Sequence, residues 1–309
     1  MVTGTEGEQR EAFALPRGCH ERYLQANGVS FHMVEAGSGR LVLLLHGFPE
    51  FWYSWRHQLV TLSRDFHVVA PDLRGYNLSD KTATGYDIAT LTEDARLLMR
   101  ALGEDRANVV GHDWGGVIAW ALATRAPDVV ERLAIINAPH PALFLRALRR
   151  PSQLARSSYI AFFQLRCVAE RAIARNDYAA VRRILASAAA HTQWAGEEDI
   201  ERYISALRRP GALTCALNYY RNIRPRYFGE ISVGRKISRP TLVLWGELDP
   251  VLGVELLHGL EEWVPNASVI RYPQAGHWLN QELPKDINLA LTTFFAAPEE
   301  QVSSGDTQL

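Results

Sequence analysis

Residues 107–115 of the chain read Ala107-Asn108-Val109-Val110-Gly111-His112-Asp113-Trp114-Gly115. The apolar first part is typical of a buried strand, and the residues after Gly115 have the pattern of a helix. A strand and a helix joined by G-x-S-x-G form a nucleophile elbow, a sharp turn that presents its central residue at the edge of a sheet. Here that central residue is Asp113 instead of serine. An aspartate in a tight turn is also common without a catalytic role.

The carboxylate of Asp113 predicts a different electrophile from the one that a serine attacks. At an acyl carbon, a carboxylate would form a mixed anhydride, which is an unpromising intermediate for hydrolysis. At a saturated carbon it forms an alkyl ester, which water can cleave at the enzyme's own carbonyl group. The motif therefore indicates substrates such as epoxides or alkyl halides.

The composition is that of an ordinary globular protein. Of 309 residues, 47% are hydrophobic and 22% charged, which is enough apolar material for a large core. The net charge of −1 gives no reason to expect binding to nucleic acid or to a membrane. Three dispersed cysteines, no signal-like start and no membrane-length apolar run favour a cytoplasmic protein. We expect no metal and no cofactor, and either a monomer or a homodimer. The polar ends, 3–9 and 299–309, are expected to be disordered.

Strand and helix patterns alternate in the first and last parts of the chain. We predict strands at 22–25, 29–35, 41–45, 67–70, 107–110, 133–136, 241–245 and 268–272. We predict helices at 55–63, 88–102, 115–126, 254–263 and 286–295. Asn27-Gly28 is a strong hairpin signal between the first two strands. The alternation favours an α/β fold with a mostly parallel sheet and helices on both faces.

Residues 141–226 have a different character, rich in Ala, Leu and Arg, with breaks at Pro151, Gly196 and Pro210-Gly211. An inserted helical block of this kind would lie over the carboxyl ends of the strands, where such sheets hold their active sites. We interpret its arginines as solvated helix faces. The predicted division is a core at 20–140 and 230–297, a helical cap at 141–229, and tails at 1–19 and 298–309.

An acid and a histidine follow the elbow in the order that a hydrolytic triad requires. Asp249 comes just after one predicted strand, and His277 comes just after the next. We expect His277 to take a proton from the water that attacks the Asp113 ester, while Asp249 orients the imidazole. Glu247 is an alternative acid. Asn137 ends another strand but cannot carry a charge.

The ester intermediate also needs hydrogen-bond donors for its oxyanion. Two backbone N–H groups are expected to supply them, one from Trp114 after the nucleophile and one from Phe48 in the loop after strand 41–45. Pro49 fixes that loop.

Three segments carry a resemblance to a known family. They are Leu45-His46-Gly47-Phe48-Pro49-Glu50-Phe51-Trp52-Tyr53-Ser54-Trp55-Arg56, Pro71-Asp72-Leu73-Arg74-Gly75-Tyr76 and Gly111-His112-Asp113-Trp114-Gly115-Gly116. With them, residues 23–295 resemble the α/β-hydrolase-fold epoxide hydrolases of the soluble type. The resemblance implies a vicinal diol as product, a small apolar epoxide and water as substrates, and two cap tyrosines that bind the epoxide oxygen.

The tyrosines implied by the resemblance are Tyr159 and Tyr220, with Tyr219 as the alternative to Tyr220. A phenol suits the role because it stays neutral yet supports an alkoxide leaving group. Asn77 departs from the family pattern, which has glycine there; asparagine tolerates the left-handed conformation, so we expect the turn to form.

Two other functions remain open, a haloalkane dehalogenase on the same fold and a non-catalytic receptor or scaffold. A dehalogenase needs side-chain N–H donors around the halide. Trp114 could be one donor, whereas Phe48 has none to offer. The expected apolar substrate pocket consists of Trp52, Phe162, Phe163 and Trp278, together with Phe48 and Trp114.

Overall fold

The computed structural model describes residues 14–192, 194–223 and 235–298, so the expected disorder of 3–9 and 299–309 lies outside the described residues. Eight strands form one sheet in the order β1-β2-β4-β3-β5-β6-β7-β8. The strands are β1 His20–Ala26, β2 Val29–Ala36, β3 Leu41–Leu45, β4 His67–Pro71, β5 Ala107–His112, β6 Val130–Ile136, β7 Thr241–Gly246 and β8 Ala267–Tyr272. β2 is antiparallel to β1 and β4, and the other neighbours are parallel. The predicted mostly parallel sheet is confirmed.

Helices surround this sheet and fill the segment between β6 and β7. They are α1 Arg56–Leu62, α2 Ile88–Ala101, α3 Trp114–Arg125, α4 Pro141–Ala147, α5 Pro151–Arg156, α6 Tyr159–Phe163, α7 Val168–Thr192, α8 Glu197–Arg208, α9 Ala212–Arg221, α10 Leu279–Glu282 and α11 Pro284–Ala296. Short 3₁₀ helices lie at Trp52–Trp55, Pro127–Val129, Val254–Leu257 and Leu260–Glu262.

The centre of the sheet is buried because its strands are apolar on both faces. All five residues of β3 are buried, and β3 lies between β4 and β5. This agrees with the continuous aliphatic run, which is typical of a strand covered by helices on both sides. The hairpin at Asn27-Gly28 forms as predicted, with both residues at positive φ.

One predicted helix is wrong. Residues 254–263 form two 3₁₀ helices instead of one α-helix. Gly259 separates them with a φ of +86°, a left-handed conformation that interrupts the helix.

The segment between β6 and β7 contains α4–α9, and no strand occurs in its described residues. Pro151 begins α5, and Gly196 is the N-cap of α8. α7 is interrupted at 175–178, where Asn176, Asp177 and Tyr178 have positive φ; the sequence pattern does not predict this break. Within the described ranges, no helix is both long and apolar enough to cross a membrane.

Candidate active site

Asp113 occupies a strained turn between β5 and α3. Its φ is +49° and its ψ is −116°, a conformation that non-glycine residues rarely adopt. The turn fits only because small residues flank it: a Cβ atom on Gly115 would lie 2.0 Å from the carbonyl oxygen of Leu45. The local sequence therefore brings the Asp113 carboxylate to the edge where β3 and β5 end.

His277 lies between the two aspartates that the sequence singles out. Its Nδ1 is 2.6 Å from Oδ2 of Asp249, and its Nε2 is 3.9 Å from Oδ2 of Asp113. The three residues follow β5, β7 and β8, whose parallel carboxyl ends meet at one edge of the sheet. The structure thus brings the predicted nucleophile, acid and base together.

Asp249 is buried and surrounded by donors. Oδ1 accepts hydrogen bonds from the N–H groups of Val251 and Leu252, both at 2.8 Å. Oδ2 accepts one from Nδ2 of Asn137 at 2.9 Å. Burial raises the pKa of Asp249, but His277 and these donors lower it by more, so the net shift is downward. Glu247, the alternative acid, instead pairs with Arg271 at 2.7 Å.

The surroundings of His277 favour its protonated form. Burial lowers the pKa of the imidazole, but the carboxylates of Asp249, Asp113 and Glu50 outweigh it and raise the pKa to about 9. At neutral pH the resting site therefore holds an imidazolium between two carboxylates.

The loop after β3 supplies a donor to the nucleophile. The N–H of Phe48 donates to Oδ1 of Asp113 at 2.9 Å. Among the described residues, Trp114 is the other predicted donor, and its N–H makes no hydrogen bond to the Asp113 carboxylate. His46 holds the loop: its Nδ1 donates to the carbonyl of Gly47, and its Nε2 accepts from the N–H of Leu73.

A cavity of about 50 Å³ opens above Asp113. It is lined by Asp113, Trp114, Val117, Pro139, Phe144, Tyr159, Ile160, Tyr220, Ile223 and Leu252. Both predicted tyrosines are therefore in the lining. Burial and the nearby Asp113 raise the pKa of Tyr159 and of Tyr220, so both phenols are neutral donors. Tyr219 is elsewhere, with its hydroxyl donating to the carbonyl of Arg74 at 2.8 Å.

Of the aromatic residues expected to line this pocket, Trp114 is in its lining, and Trp52, Phe162, Phe163, Trp278 and Phe48 are not. Trp52 is buried in the 3₁₀ turn before α1, and Phe162 is 37% exposed on the outer side of α6. Phe163 packs against Tyr220 and Phe48. Trp278 lines a separate cavity of about 360 Å³. A five-residue helix directs only some of its side chains inward, and composition does not reveal which.

Sequence reasoning missed a buried pair beside the triad. Nδ1 of His112 lies 2.7 Å from Oε2 of Glu50, and Nε2 of His112 donates to the carbonyl of His277 at 2.9 Å. Oε2 of Glu50 also accepts the N–H of Gly47, at 3.0 Å. Burial raises the pKa of Glu50, but His112 lowers it more. Both residues stand in the quoted motifs, yet only the fold shows that they pair.

Asn77 has a φ of +36°, so the left-handed turn forms with asparagine in place of glycine. Its side chain adds two contacts, donating to Oδ2 of Asp72 and accepting from Nε of Arg209. Among the described residues, no group of three or more His, Cys, Asp or Glu side chains could hold a metal ion.

Comparisons with known proteins agree with this geometry. Residues 40–282 match the α/β hydrolase fold family. Epoxide hydrolase 4 of Mus musculus is 39% identical over 292 residues, covering 91% of this chain and 80% of the mouse protein. The AB hydrolase superfamily protein YfhM of Bacillus subtilis is 38% identical, covering 86% of this chain and 94% of that protein.

A crystal structure of the Bacillus megaterium epoxide hydrolase in complex with an inhibitor has a TM-score of 0.83 at 35% identity, covering 89% of this chain and 100% of the other. Epoxide hydrolase A of Mycobacterium thermoresistibile has a TM-score of 0.80 at 33% identity, covering 92% and 100%. These likenesses confirm the predicted fold and the resemblance. The chain is a hydrolase that belongs to the α/β-hydrolase-fold family, among its epoxide hydrolases.

Proposed function

We propose that this protein converts an epoxide to a vicinal diol through a covalent ester of Asp113. One observation carries the proposal: a carboxylate on a nucleophile elbow shares a small, mostly apolar cavity with two neutral phenols. A carboxylate can open a strained ring at saturated carbon, and a phenol can stabilise the alkoxide that departs.

In the first half-reaction, a carboxylate oxygen of Asp113 attacks one epoxide carbon, and the bond from that carbon to the ring oxygen breaks. Oδ2 suits the attack because Oδ1 already accepts the Phe48 N–H. The ring oxygen receives hydrogen bonds from Tyr159 and Tyr220 and takes the proton of one of these phenols as negative charge develops on it, which leaves a phenolate. The product of this step is a hydroxyalkyl ester of Asp113.

In the second half-reaction, water is added across the ester bond. Formation of the ester removes the negative charge of Asp113, which is one of the causes that raise the pKa of His277. His277 then loses its proton more easily, and this proton replaces the one that the phenol gave up. Nε2 of His277 can then take a proton from water. The resulting hydroxide attacks the ester carbonyl carbon, and the N–H of Phe48 stabilises the oxyanion, together with that of Trp114 once the carbonyl shifts toward it. Collapse gives the carboxylic acid of Asp113, and the departing diol oxygen takes a proton from His277. The acid then passes its proton to His277, which restores the carboxylate and the imidazolium.

The helices α4–α9 supply Tyr159 and Tyr220 and line much of the cavity. We propose that residues 141–229 act as a cap that excludes bulk water, over a core formed by 20–140 and 230–297. Ion pairs tie these helices to the core, for example Arg156 to Glu255 at 2.9 Å.

The two alternatives are less well supported. A halide leaves without a proton, so a dehalogenase has no use for two phenols above its nucleophile. A receptor or scaffold needs neither a strained aspartate nor a histidine that is poised between two carboxylates.

A single turnover in ¹⁸O-labelled water tests the proposal. With excess enzyme and styrene oxide, the first diol should carry the unlabelled oxygen of Asp113, and the peptide that contains Asp113 should gain the label. Asp113→Ala should abolish turnover. Label in the first diol would instead mean direct attack by water. Halide release from a bromoalkane, measured in parallel, distinguishes the dehalogenase.

A further inference from the structure

Glu282 binds the backbone N–H groups of the residues before and after His277. Its Oε2 accepts the N–H of Gly276 at 2.7 Å, and its Oε1 accepts the N–H of Trp278 at 3.0 Å. The residue is only 7% exposed. Its carboxylate bridges the N–H groups of the residue before His277 and the residue after it.

The arrangement depends on residues next to His277 in sequence. Glu282 ends the short helix α10, and its own N–H donates to the carbonyl of Trp278 at 2.9 Å, which closes the segment on itself. A Cβ atom on Gly276 would lie 3.2 Å from Oε1 of Glu282, so glycine allows the close approach of the carboxylate. On the other side, His112 donates to the carbonyl of His277.

The carboxylate of Glu282 has no cationic partner within 4 Å among the described residues. Burial raises its pKa more than the hydrogen bonds from Gly276 and Trp278 and the charge of His277 lower it, so the net shift is upward. A buried charge without a direct ion pair is costly to keep. A carboxylate presents two equivalent acceptor oxygens, whereas the amide of glutamine presents one acceptor and one donor. The carboxylate is therefore better suited than glutamine to accept both N–H groups.

We propose that Glu282 is a positioning residue that fixes the His277 imidazole for the attack of water on the Asp113 ester. The inference rests on the proposed function, in which His277 is the base of the second half-reaction. Formation of the ester does not need that base. Loss of the two hydrogen bonds that Glu282 accepts should therefore slow ester hydrolysis while leaving ester formation near its original rate.

The test measures the two half-reactions separately in single turnovers of styrene oxide, by rapid quenching and intact-protein mass spectrometry. In Glu282→Gln and Glu282→Asp, ester formation should stay within about twofold, and ester hydrolysis should slow by roughly tenfold to a hundredfold, the size expected for a misplaced catalytic group. Glu282→Asp keeps the charge, but its side chain is too short to reach both N–H groups. This variant therefore tests the positioning role if Glu282→Gln does not fold.

Glu35→Gln is the matched control, because Glu35 is a buried carboxylate far from the site that pairs with His20 and His67. It should leave both rates unchanged. Parent-like ester hydrolysis in the folded Glu282 variants, or equal slowing of both steps, would overturn the positioning role. His277→Gln is the reference for the proposed function: if it accumulates no ester, that function fails, and this is a different result from an unaffected Glu282 variant.

Discussion

The negative charge of Asp113 should set the protonation state of His277. In the resting site His277 has a pKa of about 9, with Asp249 and Asp113 among the causes. Asp113→Asn keeps the size of the side chain and removes its charge, as ester formation does in the proposed reaction. We expect the pKa of His277 to fall in this variant, so that a larger fraction of the imidazole is neutral at pH 7.

The size of the fall follows from the geometry. Nε2 of His277 and Oδ2 of Asp113 are 3.9 Å apart. At that separation, opposite charges attract by about 4 kcal/mol with an effective dielectric constant of about 20. This energy corresponds to roughly 3 pKa units at about 1.36 kcal/mol per unit. The Asp113 side chain is 18% exposed, and water screens part of the attraction, so we expect a fall of about 1 to 3 units.

A titration of the histidine ring signals by NMR from about pH 5 to 10 measures this fall. The signal that is missing in His277→Gln identifies His277. Tyr159→Phe is the matched control, because it changes the same cavity without changing a charge at neutral pH; His277 should titrate there as in the parent. A His277 pKa in Asp113→Asn within about half a unit of the parent value would refute the reasoning, since Asp113 would then contribute little.

Three further changes test other parts of the site. His277→Gln should form the Asp113 ester but not hydrolyse it, giving protein plus substrate by mass spectrometry; a bound but unreacted substrate would contradict this. Tyr159→Phe and Tyr220→Phe should each slow ester formation by about a hundredfold and the double variant by much more; near-parental epoxide opening in the double variant would refute the first step. Asn137→Ala removes a hydrogen-bond donor worth about 1 kcal/mol from Asp249, so His277 should bind its proton more tightly. The acid limb of the pH profile of ester hydrolysis should therefore move up by about half to one pH unit. An unchanged pH profile would show that Asn137 does not affect Asp249 in this way.

The parts of the fold that local pattern decides were predictable. The aliphatic run of β3 and the Asn27-Gly28 hairpin form as expected, because burial on two faces and a two-residue turn each leave a short signature. The 254–263 segment was not predictable in the same way. Its apolar spacing suits a helix, but Gly259 adopts a left-handed conformation that depends on how the segment packs.

The candidate site also has a part that the sequence could predict and a part that it could not. Asp113, Asp249 and His277 could be selected because a parallel sheet brings the carboxyl ends of its strands to one edge. The cavity lining could not, since it depends on which side chains of a five-residue helix face inward: Tyr159 does, and Phe162 does not. The pairing of His112 with Glu50 joins residues that are distant in sequence, and only the folded backbone sets their 2.7 Å separation.

The two aspartates of the site differ in how completely their oxygens are bound, and this difference supports the roles that we propose for them. Asp249 accepts hydrogen bonds at both oxygens, from two backbone N–H groups, an amide and the imidazole. A carboxylate accepts about four such bonds, so little of its electron density is left for attack. Asp113 accepts one hydrogen bond, at Oδ1, within the described residues, and its other oxygen lies 3.9 Å from His277. Fewer donors leave Asp113 the better nucleophile, while the donors around Asp249 keep it a fixed counter-charge for the histidine.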